Sequence, residues 1–243
     1  RIPHYMNTYG VHTIHGRSIP VALGIGLANP NLKLFIHSGD GDSLSIGGNH
    51  LLHGIKKNFN CVYILFDNQI YGLTKSQTSP TTQHGLPTMT HPTGAMLDPI
   101  NPIAFALGAG ASFVATTAEW LGKHFVETLD AAFKHPGFSF VHVAQRCPKY
   151  NPTAWNFQES KWMTFLVDEE LGIAHDEKFA PDAVIQKHSP QSLDDAVLCA
   201  KGVPNIFGLI YKEEKPMYDD IVLNSVKNAE KKSIDSLLDG YVI

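Results

Sequence analysis

Two apolar runs of strand-forming residues, each stopped by a polar turn, constrain this chain more than any other feature of its sequence. Leu32–His37 reads Leu-Lys-Leu-Phe-Ile-His and leads into Ser38-Gly39-Asp40-Gly41-Asp42. Cys61–Phe66 reads Cys-Val-Tyr-Ile-Leu-Phe and leads into Asp67-Asn68-Gln69-Ile70-Tyr71-Gly72. Short apolar runs bounded by turn residues mark buried strands. Between them Leu44, Leu51, Leu52 and Ile55 recur at helical spacing, and Lys56 and Lys57 place cations where a helix C-terminus favours them, which predicts a helix over Ser43–Asn58. Asn68 follows Asp40 by 28 residues, room for one helix and one strand. The crossover therefore brings both turns to the carboxyl ends of neighbouring parallel strands, in one crevice.

The alternation resumes with Ile103–Ala109, a strand at Ser112–Ala115, an amphipathic helix over Glu119–Lys134 and a strand at Phe138–Ala144. This predicts an α/β fold, doubly wound, with a mainly parallel sheet and helices on both faces. Residues 1–150 read as the α/β domain and 151–243 as a C-terminal extension for subunit packing. The extension holds Trp155 and Trp162, a helix near Ser192–Lys201 and a charged tail over Lys212–Asp239. The Pro-rich stretch Gln83–Pro102 has no periodicity and reads as an ordered loop over the sheet's carboxyl edge. Tyr5, Tyr9 and Phe59 read as core aromatics, and Cys61 and Cys199 as small core residues. His12, His37, His50 and His53 read as ordinary hydrogen-bonded side chains.

Composition removes several function classes. Lys and Arg number 19 against 23 Asp and Glu, a net charge of −4, which does not make the basic face that nucleic-acid binding needs. The longest apolar run, Ile19–Ala28, is ten residues, whereas a bilayer takes ~20, so no membrane span is expected. Three Cys, at 61, 147 and 199, with no close pair argue against a disulfide framework and fit a reducing, cytoplasmic setting.

The chemistry lies in the two turns. A carboxylate (Asp40) and a carboxamide (Asn68) converging on one point are hard oxygen donors, suited to Mg2+ or Ca2+ rather than to Zn2+ or copper. Mg2+ keeps few protein ligands and gives its other positions to water and phosphate oxygens, which backbone N–H groups beside Gly39 and Gly41 can approach. A diphosphate cofactor is the natural occupant. One Gly-Asp-Gly alone is an ordinary turn; the pairing with Asn68 carries the inference.

That pairing resembles the thiamine-diphosphate motif, in which Asp, Asn and one main-chain carbonyl hold the Mg2+ that anchors the diphosphate. With His15-Gly16-Arg17, Ile46-Gly47-Gly48-Asn49-His50 and the run from Asp67 through Tyr71-Gly72-Leu73-Thr74-Lys75 to Thr82, residues 1–152 are similar to the β subunit of 2-oxoacid:ferredoxin oxidoreductases. The resemblance implies Mg2+ ligation by Asp40, Asn68 and the Ile70 carbonyl. It implies that Gly41, Asp42 and Thr74 line the diphosphate, with Gly39, Gly72 and Leu73 beside them at the cofactor. Lys75 would meet the substrate carboxylate, and His15 and Arg17 would lie near the cofactor's reactive end. Cys147 matches the last of four Cys that hold a [4Fe–4S] cluster in the family. Arg1-Ile2-Pro3-His4-Tyr5 resembles the stretch after the third, so the remaining ligands are expected upstream of Arg1. Ser76 stands where many members have Gly.

The resemblance implies oxidative decarboxylation of a 2-oxoacid, 2-oxoglutarate favoured and pyruvate the other candidate, to acyl-CoA and CO2. Electrons would pass through the cluster to ferredoxin, and an α subunit would complete a heterodimeric site. Two rival readings are another thiamine-diphosphate enzyme of the decarboxylase or acetolactate-synthase kind, and a non-catalytic, nucleotide-binding Rossmann-like subunit.

Overall fold

The computed structural model describes residues 2–156, 159–168, 170–174, 178, 180–202 and 205–228. Strands β1 (Leu34–Gly39), β2 (Cys61–Asp67), β3 (Phe113–Ala118) and β4 (Phe138–Ala144) run parallel in the order β1-β2-β4-β3. On the far side of β3 the sheet continues with β5 (Thr164–Val167), β6 (Val184–Lys187) and β7 (Ile206–Lys212) in the order β7-β5-β6. β7 is antiparallel to β3, with a bulge at Val114/Ala115, and parallel to β5. The described residues beyond 151 therefore extend the same sheet.

The layering follows from the two-residue period of the strands. In β2, Cys61, Tyr63 and Leu65 join one core with Leu51 and Ile55 of α2 (Gly48–Lys57), Ile19 of α1 (Ser18–Ala28), Ala106 of α3 (Pro102–Gly108), and Phe138 and Phe140 of β4. Val62 and Ile64 join the opposite core with Val141 and Val143 and with Phe125, Leu129 and Ala132 of α4 (Gly122–Lys134). Helices thus cover both faces, as the alternation predicts, and a sheet buried on both sides needs continuous apolar strands rather than alternating ones. Cys61 and Cys199 are buried. α5 (Leu193–Gly202) packs on α3, and α6 (Tyr218–Asn228) packs on α1. The end of the expected charged tail, from 229, lies outside the described residues.

The expected helix over Ser43–Asn58 is two pieces, a π-type turn at Asp42–Ile46 and then α2. Gly47 separates them. Its N–H donates to the Asp42 carbonyl at 3.0 Å, and a Cβ on Gly47 would stand 2.3 Å from that oxygen. Single π turns within helices are frequently found at functional sites. The helix expected from Glu119 begins at Gly122, because Glu119 still bonds to β4 through the Ala144 carbonyl and Leu121 (ψ 67°) is not helical. Phe59 is core, but Tyr5 (78 % exposed) and Tyr9 are not, since residues 9–14 form neither helix nor strand that could turn an aromatic face inward. His37 is also unlike its expectation, as its buried Nδ1 has no hydrogen-bond partner.

Asn58 ties the two halves of the sheet. It caps α2 in the left-handed region (φ 49°). Its Oδ1 accepts from Ser112 Oγ at 2.6 Å and from Phe138 N at 2.9 Å, while Nδ2 donates to the carbonyls of Lys215 and Pro216. Because the Ser112 proton is committed to Asn58, Ser112 accepts from His135 Nε2 at 2.9 Å. His135 is then the neutral Nε2–H tautomer, and its buried Nδ1 has no acceptor for a second proton. Desolvation, helped by nearby Lys212, lowers its pKa to about 4. The unfolded chain takes up that proton near pH 6.5 and the folded chain does not, so between these values the unfolded state binds more protons. The His135 contribution to stability is expected to fall as pH drops from 7 to 5. Urea midpoints of wild type and His135→Gln at the two pH values check this, because the gap between them should narrow at the lower pH.

Candidate functional site

The pairing of β1 with β2 runs to Gly39 opposite Phe66, so next come Asp40, just past the end of β1, and Asp67, the last residue of β2, which still pairs with Ala144 of β4. Both are buried. Thr81 Oγ1 lies 2.8 Å from Asp40 Oδ2 and 2.8 Å from Asp67 Oδ1, bridging them. Asp67 also accepts from the Gln69 N–H at 3.0 Å and from His142 Nε2 at 2.9 Å. Trp155 stacks edge-on against His142 and donates its indole N–H to the Asp67 carbonyl. Asp40 meets only hydroxyls and backbone, and among the described residues no Lys, Arg or His pairs with it.

Burial, then the neighbouring Asp67 charge, raises the Asp40 carboxyl to about 6, against the pull of the Ser79 and Thr81 hydroxyls. Two like charges roughly 5 Å apart repel by about 3 kcal/mol at an effective dielectric near 20. A cation at this point would relieve that repulsion and favour the ionised Asp40, as the hard-donor reading expects. Asn68, next in the chain, forms an Asx turn, with Oδ1 accepting from Ile70 N at 3.2 Å and one lone pair left over. No group of three or more His, Cys, Asp or Glu side chains among the described residues is arranged to hold a metal. A cation here would rest on one carboxylate, a carboxamide and a carbonyl, which suits Mg2+ with its retained water and phosphate ligands.

The first turn is locked to the second. Tyr71 Oη donates to the Gly41 carbonyl at 3.0 Å, and a Cβ on Gly41 would stand 2.2 Å from the tyrosine ring, so a side chain there would push the ring out of this contact. Asp42 accepts from Gly16 N at 2.6 Å, from Ser38 Oγ and from His15 Nδ1. These bonds bring His15 beside Tyr71, with ring centroids 6.3 Å apart. Arg17 donates to the carbonyls of Gly16 and Ile46. His15, Arg17, Asp40, Gly41, Asp42, Asn68 and Ile70 thus belong to one edge of the sheet. Leu73, Thr74 and Lys75 sit on an exposed projecting turn, where Lys75 (φ 70°) and Ser76 (φ 78°) are both left-handed, a conformation that accounts for a preference for Gly at 76. Cys147 borders the same loop, its Sγ 3.6 Å from where a Gly72 Cβ would be.

Sequence reasoning missed Asp67, Thr81, His142 and Trp155. Asp67 passed as a turn residue and His142 as one polar interruption in an apolar strand. Their signal was the burial that a strand position implies for a titratable side chain. All four line a cavity of about 560 Å3 with Gln69 and Asn151, roofed by Leu86, Pro99 and Ile100 from the predicted loop.

The fold and this edge define a class, the thiamine-diphosphate-binding α/β domains. Residues 1–143 match the family described as thiamine pyrophosphate enzyme, C-terminal TPP binding domain. The chain is 46 % identical over 151 residues to the 2-oxoglutarate oxidoreductase subunit KorB of Mycobacterium tuberculosis, covering 62 % of this chain and 40 % of that one. It is 35 % identical over 235 residues to the 2-oxoglutarate synthase subunit KorB of Methanothermobacter marburgensis, covering 94 % and 79 %. A solved 2-oxoglutarate:ferredoxin oxidoreductase from Magnetococcus marinus, with 2-oxoglutarate, coenzyme A and succinyl-CoA bound, superposes with TM-score 0.83 at 30 % identity, covering 100 % of this chain and 78 % of that one. The chain belongs to the β subunits of 2-oxoacid:ferredoxin oxidoreductases. It spans about half the length of several of these relatives, 40 % of the Mycobacterium subunit and 50 % of a Sulfolobus one.

Replacing Asp40 separates binding from stability. Unfolded Asp ionises near 3.8 and folded Asp40 near 6, so protonation favours the folded cofactor-free chain below pH 6, and that gain is lost above it. Asp40→Asn removes the buried charge and is expected to raise the melting temperature of cofactor-free protein at pH 8 by roughly 2–4 °C, with less gain at pH 5. If Asp40 is a cation ligand, the same substitution abolishes any further rise on adding Mg2+ with thiamine diphosphate.

Proposed function

We propose that this chain supplies the thiamine-diphosphate and Mg2+ site of an enzyme that oxidatively decarboxylates a 2-oxoacid, 2-oxoglutarate favoured, to acyl-CoA and CO2 and reduces ferredoxin. The observation that carries this reading is the buried Asp40, with no Lys, Arg or His paired to it among the described residues, at the carboxyl edge of paired parallel strands in a chain of this family. Relatives named for 2-oxoglutarate, and a neighbour whose structure holds 2-oxoglutarate, coenzyme A and succinyl-CoA, support the substrate.

Asp40, Asn68 Oδ1 and the Ile70 carbonyl would hold Mg2+, with Gly39, Gly41, Asp42, Gly72, Leu73 and Thr74 around the diphosphate. Bound thiamine diphosphate supplies the electron sink for loss of CO2. Asp42 fixes the His15 ring through Nδ1, which would leave Nε2 to hold or pass a proton. Arg17, anchored on two carbonyls, stiffens the same corner. Lys75, exposed at its loop tip, is free to pair with the substrate carboxylate once an α subunit closes over it. Cys147 would supply one thiolate to an iron–sulfur cluster, whereas Cys61 and Cys199 are buried in the core and would not. The described residues beyond 151 extend the sheet, and subunit packing would be a second role for this region. Among the described residues no helix is long and apolar enough to cross a membrane, and the proposed setting is the cytoplasm.

The test is anaerobic, coenzyme-A-dependent reduction of viologen or ferredoxin by the full-length protein with its partner subunit, run with 2-oxoglutarate, pyruvate and branched-chain 2-oxoacids. The expected outcome is reduction, fastest with 2-oxoglutarate; no reduction with any of them, despite bound cofactor, overturns the reading. Lys75→Ala is expected to raise KM for the 2-oxoacid roughly 10-fold or more, the loss of about one charge-assisted contact, and to leave cofactor binding unchanged.

A further inference from the structure

A line of buried polar groups runs from the candidate cation ligand to a side chain on a different strand. Asp40 Oδ2 meets Thr81 Oγ1, Thr81 Oγ1 meets Asp67 Oδ1, and Asp67 Oδ2 meets His142 Nε2, at 2.8, 2.8 and 2.9 Å. The four side chains are at most 5 % exposed. They come from four places in the chain: the turn after β1, the end of β2, the loop beyond it, and β4.

Donor counting gives the line a direction. Thr81 has one hydroxyl proton and two carboxylate oxygens within reach. Asp67 already accepts from the Gln69 N–H and from His142 Nε2, and its ring partner is held edge-on by Trp155. With two further donors, Asp67 depends less on the shared Thr81 proton than Asp40 does, whose other partners are the Ser79 hydroxyl and its own backbone, and a hydroxyl held on Oδ2 orients the Asp40 carboxylate so that its other oxygen can face the crevice. Remove the His142 N–H, and Asp67 competes for Thr81.

We propose that His142 is a positioning residue for the cation site, acting through Asp67 and Thr81 to orient the Asp40 carboxylate. This rests on the reading of Asp40 as a Mg2+ ligand. Groups that orient metal ligands from behind typically change metal affinity 10–100-fold when removed.

The experiment titrates Mg2+ into the full-length protein with its partner subunit, at fixed thiamine diphosphate, and reads cofactor binding by calorimetry rather than turnover. His142→Phe keeps a ring against Trp155 but has no N–H, and is expected to need about 10-fold more Mg2+ for half-saturation. His142→Gln restores an N–H donor and should return the midpoint to within a few-fold of wild type. Thr81→Val should match His142→Phe, and the double variant should be no worse than the worse single, because both break one line. The proposal is overturned if His142→Phe binds with the wild-type midpoint, if His142→Gln is as impaired as His142→Phe, or if the two losses add. Should His142→Phe not fold, Thr81→Val against Thr81→Ser reads the next link. A loss confined to valine supports the line, and equal midpoints sink it. A wild type that takes up the cofactor with no dependence on Mg2+ fails differently, since it removes the cation site itself.

Discussion

Parallel strands pair in one register, and here the pairing of Gly39 with Phe66 decides what stands at the carboxyl edge. One residue beyond each partner lies a buried carboxylate. A slip of one residue would turn Asp40 and Asp67 toward the opposite faces and would expose Tyr63 and Leu65 to the wrong core. The apolar alternation of β2 between two cores therefore guards the geometry of the site as well as the fold.

The local chemistry runs against stability. Two carboxylates around one hydroxyl at the edge of an apolar sheet raise the folded-state pKa of Asp40 and disfavour its charged form. The rest of the chain compensates by supplying Asp67 with donors of its own, His142 from β4 and the Gln69 N–H, so that the bridging Thr81 hydroxyl can serve Asp40. Strain collects nearby, with Gln69, Lys75 and Ser76 in the left-handed region. Such costs gather where function sets the local structure, because a site has to be held ready before its ligand arrives.

The C-terminal residues serve this edge in addition to widening the sheet. Asn151 donates to the Asn68 carbonyl, Trp155 to the Asp67 carbonyl, and Asn205, at the start of β7, to the Trp155 carbonyl. The carbonyls of the second turn are thereby fixed by residues some 80 positions later in the chain. Cys147 sits between these contacts and Gly72, where its position depends on both.

Much of this was legible in the sequence because it is local. The apolar runs at 34–39, 61–67 and 138–144, the helix patterns between them, and the Gly-Asp-Gly and Asp-Asn turns follow from side-chain period and turn chemistry over a few residues. The break at Gly47, the exposure of Tyr5 and Tyr9, and the antiparallel entry of β7 beside β3 were not, because each depends on which distant backbone lies alongside. The site divides in the same way. Asp40, Gly41 and Asn68 announce themselves by residue type and spacing, whereas Thr81, Asp67 and His142 became a single hydrogen-bonded line only when four separate segments met. Sequence by itself determined which donors the cation would find; tertiary structure decided how they are aimed, since direction belongs to hydrogen bonds between residues that the chain keeps far apart.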